Sequence, residues 1–312
     1  MNKNYFLIKK DLTNKEKIFN VVGLGEILWD IFPEGKKLGG ATTNFAYYVK
    51  SLGQNGIIVS RVGSDPLGKE ILDSIEDLDL DSTYIQSDPY YPTGTVDVKL
   101  DETGQPSYII NKNVAWDFLV LNNSLKELAV NADAVCFGTV AQRSLKSEDT
   151  ISKFLKLTGN STIKIFDINL RQNFYSDRII RKLLKNTTIL KINSHELKIL
   201  KDLLGHSNED NEINLCKKII HEYNLELLCL TKGDRGSLII NKSNHFIHEG
   251  YKVEVADTVG AGDAFTAAMI VQYLKGKTLK EISNAANKLG SWVSSQNGAT
   301  PVLNKKILKN IL

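Results

Sequence analysis

The chain has 312 residues, enough for one large α/β domain or two smaller ones. With 42% hydrophobic and 24% charged residues it can bury a sizeable core, which excludes a disordered chain. The net charge of +3 is spread among interleaved acids and bases, as in KEILDSIED (69–77), and gives no basis for nucleic-acid or membrane binding. Cys136, Cys216 and Cys229 are odd in number and sit in apolar or helical runs, so buried free thiols are expected and no disulfide framework is. No apolar run approaches the ~18 residues of a membrane span, and the Lys-rich start carries no run of signal-peptide length. A cytoplasmic location is expected.

Residues 1–18 read as an N-terminal extension to a domain spanning 19–312. FNVVGLG (19–25) is a strand pattern, followed by a helical pattern over 41–52, a strand at GIIVSRV (56–62) and a helix over 68–78. From Thr93 to Asn111 the chain alternates apolar and polar residues around DETG, which predicts an antiparallel hairpin. Such a hairpin, within a segment of about 91–118, is a candidate lid or oligomer interface. ADAVCFG (132–138), IKIFDI (163–168), TILKIN (188–193) and LLCLTK (227–232) are buried-type strands with helical stretches between them. Repeated strand–helix alternation predicts an α/β fold, a mostly parallel sheet with helices on both faces.

Three motifs mislead. GLGE (23–26) lacks the third glycine of a dinucleotide fingerprint, since that position is Leu28. GKT (276–278) imitates a P-loop, but the earlier glycine it needs is Val271. His245 and His248 stand in a strand-like stretch with no Cys/His cluster nearby, so exposed strand histidines are the better account.

DTVGAGDAFTAAMI (257–270) carries the chemistry. Gly260, Ala261 and Gly262 have little or no side chain, so backbone N–H groups can crowd against an anion, and the helix that follows adds its own unpaired N–H groups and dipole. Asp263 in that first turn could simply complement the dipole. Beside an anion-binding turn, a carboxylate would repel the anion unless it takes a proton from the attacking group.

DTVGAGDAF resembles the C-terminal signature of the ribokinase-like (PfkB) sugar kinases. The likeness runs from about Asn20 to Val302 through several further motifs in order. GEILWD (25–30) resembles the first-strand motif whose aspartate binds sugar hydroxyls, and LGGATTN (38–44) the di-glycine turn. VGSDPLG (62–68) is similar to the N-terminal signature, DINLR (167–171) to the segment facing phosphoryl transfer, and NSHE (193–196) to the NxxE motif that organises Mg2+. TKGDRG (231–236) resembles the nucleotide loop and NGATP (297–301) the segment near the adenine. ThrThr stands in LGGATTN where the family has a small residue, Pro and Ala, which leaves that loop's contacts open.

The resemblance implies a three-layer sandwich with a mostly parallel central sheet and a small β lid. It implies Asp263 as catalytic base, Gly260 to Gly262 as anion hole and Arg171 on the phosphate. Asp30, Gly39, Gly40, Asn44 and Asn169 would face the sugar, with Asn193, Thr231, Gly233, Gly236, Asn297 and Gly298 at ATP. Glu196 would hold Mg2+ through water, and Asp257, with the backbone of Ser294 to Gly298, is a candidate K+ site. The side-chain chemistry agrees. Asp30 can accept two hydroxyl bonds, Asn44 can donate and accept, and Arg171 suits bidentate phosphate contact. Plain alternatives stand beside these: a surface acid at Asp30, a helix-terminal Asn44 or Glu196, a tight turn at Gly233 and Gly236.

YPTGTVDVKLD (91–101) and VAWD (114–117) resemble the bacterial fructokinase branch. There Trp116 would press on a sugar face and Asp117 bind a hydroxyl, unless the tryptophan only packs the hairpin onto the body. The expected reaction is ATP plus D-fructose to ADP plus fructose 6-phosphate. Alternatives are a kinase for ribose or a sugar acid such as 2-keto-3-deoxygluconate, or a catalytically silent sugar-binding protein. A homodimer through the hairpin is a further expectation.

Overall fold

The computed structural model describes residues 17–100 and 106–311. The expected extension thus lies almost wholly outside the described residues, as does the DETG turn of the hairpin. In chain order the first strands are β1 (Asn20–Leu24), β2 (Leu28–Phe32), β3 (Gly35–Gly39), β4 (Asn55–Gly63) and β5 (Ile85–Asp88). Next come β6 (Gly94–Leu100), β7 (Pro106–Ile110), β8 (Ala134–Phe137) and β9 (Ile163–Asp167). The last are β10 (Ile189–Asn193), β11 (Leu227–Thr231), β12 (Ser237–Ile240) and β13 (His245–His248).

Nine of these form one sheet in the order β13-β12-β11-β10-β9-β8-β1-β4-β5. The run from β11 to β5 is parallel, and β12 and β13 close one edge antiparallel. Parallel strands must be buried on both faces, and the sequences comply: VVGL, AVCF and LLCL are apolar at every pleat. Val22 and Leu24 of β1 join Phe137 and Phe166 in one core, while Val21 joins Ile58, Cys136 and Ile165 in the other. Helices 41–51, 66–77, 261–274 and 279–294 cover the second core, and 123–131, 145–157, 177–184, 194–203 and 212–223 cover the first. The result is a ribokinase-like three-layer α/β sandwich. The three cysteines are free and buried, as expected.

Helix 261–274 is apolar nearly all round, and Ala264 to Gln272 are all buried, because it lies between helices 41–51 and 279–294 rather than at the surface. Gly23 serves packing rather than a dinucleotide: a Cβ there would lie 2.2 Å from the carbonyl oxygen of Thr42, so the glycine lets helix 41–51 settle on β1.

The predicted hairpin exists as β6 and β7, but it is half of a second sheet ordered β3-β2-β6-β7. The segment between residues 28 and 39 supplies the other half, with β2 parallel to β6 through Trp29↔Thr95 and Asp30↔Val96. Asp30 therefore belongs to the lid sheet and not to a strand of the central sheet.

Candidate active site

The strand ends of the parallel sheet converge on one cleft, the place where open α/β sheets bind ligands. It is lined by Glu26 after β1, Gly138 after β8, Asp167 ending β9, Asn169 just beyond, and Asp263 and Thr266 of helix 261–274.

Asp263 is half-buried and lies on the cleft wall, not in the core. Gly260 caps its helix in the left-handed region (φ 78°), where a Cβ would also strike the carbonyl oxygen of Ala299 at 2.4 Å. That turn starts the helix that carries Asp263, and the Ala261 N–H donates to the Thr258 carbonyl at 3.3 Å. Burial raises the Asp263 carboxyl to about 7; a hydrogen bond from Asn44 and the charge of Lys191 pull it down, and Asp167 and Glu26 push it up. Asn44 Nδ2 donates to Asp263 Oδ2 at 2.8 Å, while Asn44 Oδ1 is buried with no partner.

Asp30 is half-buried and faces Gly39: a Cβ on Gly39 would stand 2.5 Å from Asp30 Oδ2. Burial lifts its carboxyl to about 6, against the opposing charge of Lys37. Gly40 (φ 114°) turns the chain from β3 into helix 41–51, and a Cβ there would meet the carbonyl oxygen of Glu26 at 2.4 Å. The di-glycine turn thus sets Asp30 and Asn44 at the two ends of one bend, against Glu26.

Asn169 (φ 41°) lines the cleft, and Gln172 (φ 48°) beyond it donates to the Tyr108 carbonyl of β7 at 2.8 Å, tying the lid sheet to this loop. Between them Arg171 is exposed; its Nη1 donates to the Leu170 carbonyl at 3.1 Å, and among the described residues the rest of its fork is open. Asn193 and Glu196 form a capping box: Asn193 Oδ1 accepts from the N–H of His195 and Glu196, and Glu196 Oε2 accepts from the N–H of Asn193 at 2.8 Å. Glu196 Oε1 accepts from the Leu170 N–H at 3.1 Å, so this buried acid also fixes the loop carrying Arg171.

Among the described residues no three His, Cys, Asp or Glu side chains gather as a metal cage. The donor set suits a cation that keeps its own waters, as Mg2+ does, with Glu196 retaining spare lone pairs on oxygens that each accept one bond. Asp257 accepts from the N–H of Val259 at 3.0 Å and of Gly298 at 3.2 Å, joining the 257–260 turn to the segment with Asn297 and Gly298. Thr231 ends β11, with its hydroxyl on the Ile192 carbonyl at 3.3 Å. Gly233 (φ 64°) and Gly236 (φ 79°) make the tight turn into β12, and a Cβ on Gly236 would collide with the carbonyl of His248.

Trp116 and Asp117 are not at the cleft. Trp116 is fully buried between the lid sheet and the body, with the Arg143 guanidinium 4.0 Å above its ring. Both Asp117 oxygens are taken, by Arg143 Nε at 2.8 Å and Nη2 at 2.9 Å and by the Val114 N–H at 3.2 Å. The pair packs the hairpin onto the body, because Gly94 leaves a gap that the indole edge enters, beside the Ile27 carbonyl.

Sequence reasoning assigned no role to Glu26, Asp167 or Thr266, which line the cleft, or to Lys191, which is bonded to Asp167 behind it. Glu26 Oε1 accepts from the Ala41 N–H at 3.2 Å while Oε2 is buried without a partner. The signal was available: Glu26 and Lys191 are charges inside runs that otherwise read as buried strands.

A carboxylate in the first turn of a helix, at the carboxyl ends of a parallel sheet and beside a β lid, is an arrangement of the ribokinase-like fold. Residues 26–306 match the pfkB family carbohydrate kinases, and the chain belongs to that family. A sugar kinase of Pyrococcus horikoshii is 28% identical over 292 residues, covering 89% of this chain and 91% of the relative. Its structure in complex with ATP superposes with a TM-score of 0.78 over 94% of this chain and 100% of that one. The Escherichia coli fructokinase is 25% identical over 298 residues, 90% of this chain and 94% of the relative. A Vibrio cholerae fructokinase, solved with fructose, ADP and calcium, shares the fold at a TM-score of 0.79 and 22% identity, covering 95% of this chain and 99% of that one. The protein is a sugar kinase of the pfkB family. Among its described residues no helix is long and apolar enough to cross a membrane.

Proposed function

We propose that this sugar kinase is a fructokinase that transfers the γ-phosphoryl group of ATP to the 6-hydroxyl of D-fructose, with Asp263 as general base. The observation that carries the reading is Asp263 itself, on the cleft wall, raised to about 7 and oriented by Asn44. The hydroxyl oxygen attacks the γ-phosphorus, the bond to the bridging oxygen of ADP breaks, and the proton passes to Asp263. Asp30 and the spare oxygen of Asn44 accept sugar hydroxyls, and Gly39, Gly40 and Asn169 shape the space around them.

The N–H groups of the Gly260–Ala261–Gly262 turn and the open fork of Arg171 receive charge gathering on the transferred group. Positioning and electrostatics should supply most of the rate, and the base about 10²–10⁴-fold. Asn193, Thr231, Gly233, Gly236, Asn297 and Gly298 form the nucleotide side. Glu196, through water, would hold Mg2+, which when bound neutralises phosphate oxygens; Asp257 and nearby carbonyls suit K+.

A neutral ketose is favoured over a sugar acid because Arg143, the buried arginine next to the lid, is spent on Asp117 and on the carbonyls of Ile110 and Asn111. Arg171 is reserved for phosphate. A coupled ADP-release assay across fructose, ribose, 2-keto-3-deoxygluconate and a nucleoside tests this; preference for the sugar acid would replace the substrate, and silence on all four would end the kinase reading. We also infer a cytoplasmic homodimer formed through the lid. Tyr108 and Ile109 of β7 point to opposite faces and are 45% and 44% exposed, so this strand has an open face to pair; sedimentation measures the state.

A further inference from the structure

Lys191 is the only charged residue of β10, and with 8% of its surface exposed it carries an ammonium into the core. A lone buried ammonium is strongly destabilising, so the fold must hold it. Its Nζ donates to Asp167 Oδ1 at 3.0 Å. It also stands 3.3 Å from the point that a Cβ on Gly262 would occupy, against the anion-binding turn from the core side. The other oxygen of Asp167 lies 3.0 Å from Thr266 Oγ1, which is 2.9 Å from the Gly262 carbonyl, one proton being shared between the two acceptors. The ion pair and this hydroxyl fasten the first turn of helix 261–274 to the ends of β9 and β10.

The charge around this point is lopsided. Glu26, Asp167 and Asp263 face one cleft, and Glu196 is close enough to attract the same ammonium. The Tyr48 phenol and the Cys136 thiol also face Asp263, and burial keeps both protonated. Two arginines also act on Glu26: Arg171, which is exposed, and Arg143, whose side chain is buried but paired with Asp117; Lys191 is the cation that acts on both Asp167 and Asp263. Burial alone would favour neutral Lys191, but attraction to Asp167 and then Glu196 outweighs it, and the amine stays above the usual lysine range.

We propose that Lys191 is a positioning residue for phosphoryl transfer: held by Asp167 against Gly262, its ammonium supplies the fixed positive charge behind both Asp263 and the anion-binding turn. This rests on the sugar-kinase reading with Asp263 as base. It makes the mid-strand lysine of β10 part of the site without contact to substrate, and it explains how a carboxylate can ionise among three others.

The test is the pH profile of kcat/KM for the full chain with fructose and ATP. In Lys191→Met the acid limb moves up by about one unit or more, which takes the ionised fraction at pH 7 from about a half to about a tenth or less, and kcat at pH 7 falls at least about fivefold while the KM for ATP stays within about threefold. Lys191→Arg restores the wild-type limb. Asp167→Asn moves the limb down. Should Lys191→Met fail to fold with Asp167 left unpaired, the double variant with Asp167→Asn removes both charges, and its limb lies about one unit or more above that of Asp167→Asn alone. A limb unmoved in Lys191→Met, or shared by the double variant and Asp167→Asn, overturns the proposal even if stability falls. A wild type with no acid limb defeats the base assignment of Asp263 instead, so the two failures are distinguishable.

Discussion

Asn44 and Asp263, 219 residues apart in sequence, are joined by a 2.8 Å hydrogen bond between the first turns of two helices that enter the cleft side by side. The bond leaves Asn44 with one free acceptor and fixes one oxygen of Asp263, so the other can point at a substrate hydroxyl. It ties the turn that follows the lid strand β3 to the helix that carries Asp263.

The state of Asp263 sets a pH dependence with opposite signs for activity and stability. Its folded value, about 7, lies above the ordinary 3.8, so its contribution to stability is complete below pH 4 and is lost as pH rises through about 7. Asp263→Asn should therefore raise the melting temperature at pH 8 and change it little at pH 4. Thermal denaturation of both proteins at the two values checks this.

Asp30 accepts no hydrogen bond from the described protein groups and is held at about 6 by burial, the condition of an acceptor awaiting a ligand. Asp30→Ala should raise the KM for sugar by about 10²-fold, leaving the KM for ATP within about threefold, because the hydroxyls lose their partner. Steady-state kinetics with each substrate varied separates the two.

The Arg143–Asp117 pair is structural. Replacing Arg143 by Leu strands a buried carboxylate and should cost about 3–5 kcal/mol by urea denaturation. Whatever protein folds should keep the ranking of sugars, whereas a changed ranking would return Asp117 to the sugar site.

Trimming residues 95–110 removes β7 and its bond to Gln172, so the lid no longer reaches the Arg171 loop. Sugar-independent ADP release should rise relative to sugar phosphorylation as water enters. The ratio of the two rates is the readout.

Much of this was legible from the sequence because parallel strands must be apolar on both faces: AVCF, LLCL and ILKIN declared themselves, and the turn before Asp263 was read from glycines with no Cβ, of which Gly260 also takes a positive φ. The lid was half legible. β6 and β7 alternate cleanly, but β2 and β3 sit in GEILWDIFPEGKKLGG, where the pattern is short and the pairing of β2 with β6 spans some sixty residues of chain. Trp116 and Asp117 misled because a tryptophan beside an acid has the same composition whether it faces a sugar or fills the gap over Gly94. Lys191 went unread because periodicity marks which face a residue occupies, not which charges meet it there.

The central claim is that Asp263 takes the proton of the attacking hydroxyl. Steady-state and nucleotide-binding measurements on Asp263→Asn test it most directly. The account predicts at least about a hundredfold loss in turnover with ATP affinity and fold retained; turnover near that of the unmodified protein would contradict it.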